Sequence, residues 1–200
     1  MRNTFDRFNG RHQDYQAARP SYAQEFLDWL GELYAPPERY TAADIGSGTG
    51  KLSAQLLAAG FRVCGVEPNP DMRGAAEALL GGDPRFSSSN GTDHDTGLPD
   101  RSVDMVAAAQ AFHWFDGPAF ARECRRILRP GGRAVLVWNV RGSAPMNQAL
   151  AQVFREHCPS FHGFTGGMGE DDPRIRDFFG GAYEKRRFPN PLTLDRDQFL

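Results

Sequence analysis

The segment from residue 43 to residue 53 constrains the fold most, because it joins a buried strand to a helix through a glycine turn. It reads Ala43-Asp44-Ile45-Gly46-Ser47-Gly48-Thr49-Gly50-Lys51-Leu52-Ser53. Apolar residues lead into Ile45, and leucines then recur with helical spacing at positions 52, 56 and 57. The glycines remove side chains where the backbone must turn tightly or lie against a ligand. The layout is typical of a nucleotide-binding α/β fold.

Two phosphate-binding patterns fit this turn poorly. The dinucleotide pattern Gly-x-Gly-x-x-Gly needs a third glycine where Lys51 stands. The phosphate loop Gly-x-x-x-x-Gly-Lys-Ser/Thr accepts Gly50-Lys51. However, Ile45 occupies its first glycine position and Leu52 its hydroxyl position. An ordinary glycine-rich turn without a ligand is a further alternative.

A third pattern, Asp-x-Gly-x-Gly-x-Gly, is complete. Asp44, Gly46, Gly48 and Gly50 supply it, and it resembles motif I of the class I S-adenosylmethionine (SAM) methyltransferases. SAM carries no phosphate, so no phosphate-binding lysine is required. Its ammonium group suits an acidic residue at the end of the strand.

Strands and helices alternate strictly along the chain. Strands are predicted at about 40–45, 61–67, 85–89, 103–109 and 133–138. Helices are predicted after a Ser21 cap, over 50–59 up to Gly60, from Pro70 to 80, after an Asp116 cap and over 145–157. Residues 128–132 predict a tight turn, and the glycine-rich stretch 160–182 predicts a loop that serves as a lid. The alternation predicts an α/β, Rossmann-like three-layer sandwich with a mostly parallel sheet.

Composition excludes several classes of protein. The 200 residues carry a formal net charge of −2, so no broad basic patch for nucleic acid is indicated. No run is long enough to span a membrane, and the start of the chain has no apolar signal region, so we expect a cytoplasmic protein. The three cysteines are widely spaced and show no metal-ligand pattern. We expect no metal, and a monomer or homodimer.

Glu67 ends the second predicted strand, seventeen residues after Gly50. A carboxylate at that place can accept both ribose hydroxyls of a nucleoside lying across the strand ends. Dinucleotide-binding folds use the same device, and a solvated strand-end acid is the plainer alternative. The combination with motif I favours ribose binding.

The resemblance extends from Asp44 to Trp138, about two-thirds of the chain. Over this range the chain resembles the small-molecule class I methyltransferases of type 11, which carry a His-Trp pair after strand four. The resemblance implies a grip on adenine by Thr92, Asp93 and backbone amides, although Asp93 and His94 stand where the family usually has alanine and glutamate. It places Gln110 to Trp114 beside the methionine end of SAM. The cofactor-binding residues implied are Asp44, Gly46, Ser47, Gly48, Gly50, Glu67, Pro68, Thr92, Asp93 and Gln110.

Three further residues are expected on the substrate side. In the family, an N-terminal segment resembling Phe8 to Tyr22 folds over the cofactor, which makes Tyr15 and Arg19 candidates to line the site together with Trp114. A surface charge at a helix start is the alternative for Arg19. His113 is the candidate general base, and a structural histidine bonded to the backbone is its alternative. His94, His157, Cys158 and His162 are weak metal candidates.

The sequence therefore predicts a SAM-dependent methyltransferase that methylates a small organic acceptor, with S-adenosylhomocysteine as product. A carboxylate acceptor would need no base and would use an arginine; a hydroxyl would need a base. The chain lacks the Asn/Asp-Pro-Pro-Tyr/Phe motif of enzymes that methylate adenine or glutamine nitrogen. A non-catalytic SAM-binding protein and a nicotinamide-dependent oxidoreductase are the alternatives.

We predict one domain over residues 1–200: an N-terminal helical cap at 1–39, a SAM-binding core at 40–139, and a lid with a partial sheet at 140–200. The family sheet has seven strands in the order three-two-one-four-five-seven-six. Residues 183–188 predict strand six and Thr193 or Asp195 the start of the next helix, which leaves no residues for strand seven. We expect either a fragment of a longer chain or an unpaired edge on strand five.

Overall fold

The computed structural model describes residues 20–140, 145–161, 168–169 and 171–191. Its strands are β1 Thr41–Ile45, β2 Arg62–Val66, β3 Phe86–Ser89, β4 Val103–Ala109 and β5 Leu128–Val137. Its α-helices are α1 Gln24–Leu33, α2 Lys51–Ala58, α3 Pro70–Leu80, α4 Gly117–Ile127, α5 Pro145–His157 and α6 Pro173–Phe179. Two 3₁₀ helices span Pro37–Arg39 and Phe112–Trp114.

The five strands form one parallel sheet in the order β3-β2-β1-β4-β5. In the centre, Ala43 of β1 pairs with Cys64 of β2 on one side and Val106 of β4 on the other. The strand order reverses between β1 and β4, and in open α/β sheets the ligand crevice lies outside the carboxyl ends at such a point. The predicted Rossmann-like α/β fold is confirmed, and its topology places the glycine turn and the segment after β4 on either side of the crevice.

The sheet is covered on both faces, because successive residues of a strand point to opposite sides. On one face, Ala43, Val106 and their neighbours pack against α4 and α6 through Phe120, Cys124, Ile127, Ile175 and Phe178. On the other face, Ala42, Val63 and Met105 pack against α1 and α2 through Phe26, Leu30, Leu52 and Leu56. These three layers hold the strand ends in fixed relative positions.

Caps set the helix starts at the carboxyl edge. Asn69 caps α3 by accepting hydrogen bonds from the amides of Asp71 and Met72 at 3.0 Å each. Asp116 caps α4 as predicted, accepting from the Ala119 amide at 3.0 Å. The predicted Ser21 cap is wrong, since α1 begins at Gln24 after Ala23, without a side-chain cap.

The predicted tight turn at 128–132 is instead part of β5. Val103 pairs with Leu128, but Met105 pairs with Arg133, so the residues between bulge out of the ladder. Gly131 lies at φ +83°, and a Cβ on Gly132 would lie 2.9 Å from the Asp104 carbonyl oxygen. The bulge thus depends on both glycines.

The region after β5 differs most from expectation. Residues 173–179 of the predicted loop form α6, which an Asp172 cap begins. The Phe178 ring stacks on Phe120 with centroids 5.1 Å apart, so this part is packed core. Residues 162–167 and 170 of that loop lie outside the described part of the chain. The helix over 145–157 is confirmed as α5.

The strand predicted at 183–188 is wrong. Residues 182–191 are not a strand. Two of their side chains contact α1: the Phe188 ring lies 5.8 Å from Phe26, and the Arg186 guanidinium lies 5.0 Å from the Trp29 ring. Aromatic packing on a helix therefore takes the place of strand pairing. No strand follows β5 among the described residues, and residues 192–200, including the helix predicted from Thr193 or Asp195, lie outside them.

Candidate functional site

The glycine turn after β1 is built on left-handed backbone. Gly46, Gly48 and Gly50 have φ of +70°, +57° and +82°. A Cβ on Gly46 would lie 2.8 Å from that of Ala111, and one on Gly50 would lie 2.9 Å from Leu80. A Cβ on Gly48 would meet nothing within 4 Å. Two of the glycines therefore permit close packing, and Gly48 presents bare backbone to an open face.

Asp44 lies beneath this turn and is 1 % exposed. Its Oδ2 accepts a hydrogen bond from the Ser53 hydroxyl at 2.7 Å, while its buried Oδ1 has no hydrogen-bond partner among the described residues. Burial raises the pKa of Asp44 to about 6, against the hydrogen bonds from Ser53; the nearby Glu67 charge adds to the rise. A buried carboxylate with an unused oxygen favours a cationic ligand at this edge.

Glu67 directly follows β2 and bridges two loops. Its Oε2 accepts from the Gly48 amide and its Oε1 from the Asn69 amide, each at 2.9 Å. Arg73 donates from Nη1 to the Glu67 carbonyl at 2.8 Å and fixes the backbone there. Burial raises the pKa of Glu67, opposed by the two amides and by Arg73. Each carboxylate oxygen has a second lone pair, so the fixed group can still accept from a ligand.

Ser47 and Pro68 serve the same junction with backbone atoms. The Ser47 amide donates to the Val66 carbonyl at 3.2 Å, and its own carbonyl accepts from the Gly50 amide at 3.0 Å. The Pro68 carbonyl accepts from Arg73 Nη1 at 3.4 Å. These bonds tie the glycine turn to the end of β2.

The loop after β3 places Thr92 and Asp93 in a turn. Thr92 Oγ1 accepts from the Asp95 amide at 3.1 Å. Asp93 Oδ2 accepts from the Asp116 amide at 3.1 Å, and its Oδ1 lies 3.1 Å from His94 Nδ1. The Asp93 carboxylate thus sits against the start of α4, a contact that the sequence did not indicate.

The segment after β4 adds a third wall. Gln110 adopts φ +54°; its amide donates to the Val137 carbonyl at 2.9 Å and its Nε2 to the Asn139 carbonyl at 3.1 Å. The buried Phe112 then anchors the 3₁₀ turn that carries His113 and Trp114. Their rings lie 4.9 Å apart, and Trp114 is 48 % exposed. An aromatic pair therefore stands at the carboxyl end of β4.

Hydrogen bonds and packing thus bring together the predicted residues from β1, β2 and β4. The Gly48 amide contacts Glu67, and Gly46 packs against Ala111. Tyr15 and Arg19 lie outside the described residues. Asn69 and Arg73 support the site but were missed, although an asparagine before a proline is a helix-start signal that would have found Asn69.

The described residues contain neither a metal-ligand cluster nor a helix suited to a membrane. No group of three or more histidine, cysteine, aspartate or glutamate side chains is placed to hold a metal ion there. No helix in the described ranges has the length and apolar character needed to cross a bilayer.

Comparison with known proteins finds methyltransferases among those similar to this chain. A family model described as a methyltransferase domain matches residues 43–136. An uncharacterized methyltransferase of Mycobacterium tuberculosis is 42 % identical over 127 residues, which cover 64 % of this chain and 49 % of that protein. An uncharacterized methyltransferase of Schizosaccharomyces pombe is 31 % identical over 147 residues, covering 72 % of this chain and 57 % of its own. The chain spans about half the length of these curated relatives.

Solved structures of methyltransferases share the fold of this chain. A provisionally assigned type II methyltransferase from Anaeromyxobacter dehalogenans superposes with a TM-score of 0.58 and 32 % identity, over 86 % of this chain and 70 % of that one. A second provisionally assigned methyltransferase, from Anabaena variabilis, superposes with a TM-score of 0.61 and 24 % identity, over 82 % of this chain and 62 % of that one. At that identity the likeness supports the fold alone. The matched family model, the shared sequence and the shared fold show that this chain belongs to the class I SAM-dependent methyltransferase family.

Proposed function

We propose that this chain binds SAM across the carboxyl ends of β1, β2 and β4 and transfers its methyl group to a small organic acceptor. One observation carries the proposal: the Glu67 carboxylate is held between the amides of Gly48 and Asn69, beside open backbone at Gly48. A fixed, half-satisfied carboxylate next to bare backbone suits the ribose of a nucleoside.

The described residues fit each part of this cofactor. Glu67 accepts from the ribose hydroxyls. Gly48 lets the nucleoside approach the turn, since a Cβ there would stand in open space. Asp44 favours the ammonium end, because its buried carboxylate has an oxygen that no described residue satisfies. Thr92 and the amides around it lie at the adenine end, and Gln110 at the methionine end.

Bound SAM supplies a methyl group made electrophilic by the sulfonium to which it is attached. The protein's part is to align the acceptor with that methyl and to keep water out. The 3₁₀ turn at Phe112–Trp114 is suited to this task because its buried first residue fixes its position at the crevice. Trp114 offers an exposed apolar surface on which an acceptor can rest.

His113 is the residue we propose as general base where the acceptor is a hydroxyl. It would take the proton that the acceptor oxygen loses as the new oxygen–carbon bond forms. A carboxylate acceptor is already ionised at neutral pH and needs no base, and Arg19 is then the candidate to bind it. Removing the imidazole should therefore slow methylation of a hydroxyl and leave methylation of a carboxylate unchanged.

Calorimetry and an acceptor screen test the proposal in two stages. Titration with S-adenosylhomocysteine and with NAD distinguishes a SAM site from a nicotinamide site, and we expect binding of the former alone. Incubation with SAM and pooled small carboxylates and alcohols, read by mass spectrometry, should show an acceptor gaining one methyl group. Binding without turnover against any pool would favour the non-catalytic alternative.

A further inference from the structure

A buried glutamate on α4 holds the loop after β3 in shape. Glu123 is 6 % exposed, and Thr96 is fully buried. Glu123 Oε1 accepts from the Thr96 amide at 2.9 Å and from the Thr96 hydroxyl at 2.6 Å. The same hydroxyl accepts from the Leu98 amide at 3.2 Å. One carboxylate thus holds Thr96 directly, and Leu98 through the Thr96 hydroxyl, in a loop that has no regular structure.

The charged Arg126 side chain holds the Glu123 carboxylate in place. Arg126, one turn further along α4, donates from Nε to Oε2 at 2.8 Å and from Nη2 to Oε1 at 2.7 Å. Its remaining Nη1 donates to Asp100 at 2.7 Å, at the far end of the loop. Burial opposes ionisation of Glu123, but the bonds from Arg126 and Thr96 outweigh it and lower the pKa to about 2. The carboxylate is therefore charged at any working pH.

The near end of the loop is tied by separate contacts. The Ser89 hydroxyl at the end of β3 donates to the Thr96 carbonyl at 2.8 Å. Gly91 packs so closely on this carbonyl that a Cβ would lie 2.5 Å from its oxygen. Asp93 accepts from the Asp116 amide at the start of α4. The loop is thus folded back on itself. Thr92 lies between Gly91, which packs on the Thr96 carbonyl, and Asp93, which contacts the start of α4.

We propose that Glu123 is a positioning residue for the purine end of the cofactor: by holding Thr96 it fixes the turn that presents Thr92 and the neighbouring amides to the adenine edge. The inference rests on the proposed function, because it assumes that a SAM-type nucleoside lies against this loop. Glu123 does not contact the nucleoside itself. It acts through the shape of residues 91–98.

The test compares two ligands that differ only at the purine edge. S-adenosylhomocysteine carries a 6-amino group, and S-inosylhomocysteine carries a 6-oxo group. A site that hydrogen-bonds the amino group rejects the oxo analogue, because its own polar atoms are then left unpaired. We expect the wild-type chain to prefer the adenine ligand by about tenfold or more, the effect of one well-placed hydrogen bond.

Glu123→Gln should reduce this preference at least threefold, because a neutral amide has one acceptor oxygen in place of two. It cannot accept from both Arg126 and Thr96 as the carboxylate does. Thr96→Val should do the same, while Thr96→Ser, which keeps the hydroxyl, should retain the preference. Glu156→Gln, the same chemical change on the exposed side of α5, is the matched control. The Thr96 pair supplies the test if Glu123→Gln does not fold.

The outcomes separate the two proposals. Equal loss of affinity for both ligands in Glu123→Gln and Thr96→Val would give Glu123 a purely structural role and overturn the inference. Wild-type binding without any preference between the ligands would also overturn it, while leaving the SAM site intact. No binding of either ligand to the wild-type chain would refute the proposed function itself.

Discussion

Replacing Asp44 by asparagine should change how the stability of the ligand-free protein depends on pH. Asp44 is 1 % exposed, and burial raises its pKa from 3.8 to about 6 in the folded chain. At about 1.4 kcal/mol per pKa unit, this difference corresponds to about 3 kcal/mol. The ionised carboxylate therefore destabilises the empty fold, and Asp44→Asn removes that charge.

The sign of the effect follows from the order of the two pKa values. Below pH 3.8 Asp44 is protonated in both the folded and the unfolded chain, and it does not affect the balance. Between that pH and about 6 the unfolded chain releases its proton first, so the wild type loses stability as pH rises. Above about 6 both states are ionised and the loss is complete.

Urea unfolding at pH 4.5 and pH 8 measures this directly. The free energy of unfolding of Asp44→Asn minus that of the wild type should grow by about 2 kcal/mol between the two pH values, somewhat less than the full linkage because some loss has occurred by pH 4.5. The exposed Asp28→Asn should show no such growth. A stability difference that stays constant or falls as pH rises would refute the raised pKa of the buried Asp44 carboxyl group.

Three other predictions follow from the site and the core. Glu67→Ala should weaken S-adenosylhomocysteine binding by roughly 1.5–3 kcal/mol in calorimetry, the range for hydrogen bonds to a charged group, and unchanged affinity would remove the ribose assignment. If the acceptor is a hydroxyl, His113→Ala should lower kcat about a hundredfold or more with SAM affinity nearly intact; equal turnover would end the catalytic role. Phe178→Ala should lower the free energy of unfolding by about 3 kcal/mol or more, because it opens a cavity beside Phe120. The more exposed Phe154→Ala should cost much less, and equal losses would show that α6 is not packed core.

Local sequence signals predicted the sheet core well. The alternation of apolar strands with helical stripes, and caps such as Asp116, depend on residues close in sequence, and the structure has the five predicted strands in the order 3-2-1-4-5. After residue 138 the helix at 145–157 was still predicted correctly. The α6 helix and the non-strand segment at 183–188 were not, because distant partners set their positions. Residues 183–188 resemble a strand in composition, yet Phe188 packs on α1.

The site was predictable where its chemistry depends on chain geometry. Positive φ at Gly46, Gly48 and Gly50 follows from the pattern of the turn. The contacts that tune the site could not be found that way. Glu123 reaches Thr96 across 27 positions of sequence, and only the packing of α4 against the loop brings them together.

The most direct test of a SAM site at the strand ends is a titration of the isotopically labelled chain with S-adenosylhomocysteine, in which NMR records the shift of each backbone amide. We expect saturable shifts of the Gly48, Glu67 and Thr92 amides in one titration, with little change at Asp28 and Glu32 on the outer side of α1. No shift at Gly48 and Glu67 under saturating ligand, or shifts confined to another surface, would contradict the placement of the cofactor at the carboxyl ends of β1, β2 and β4.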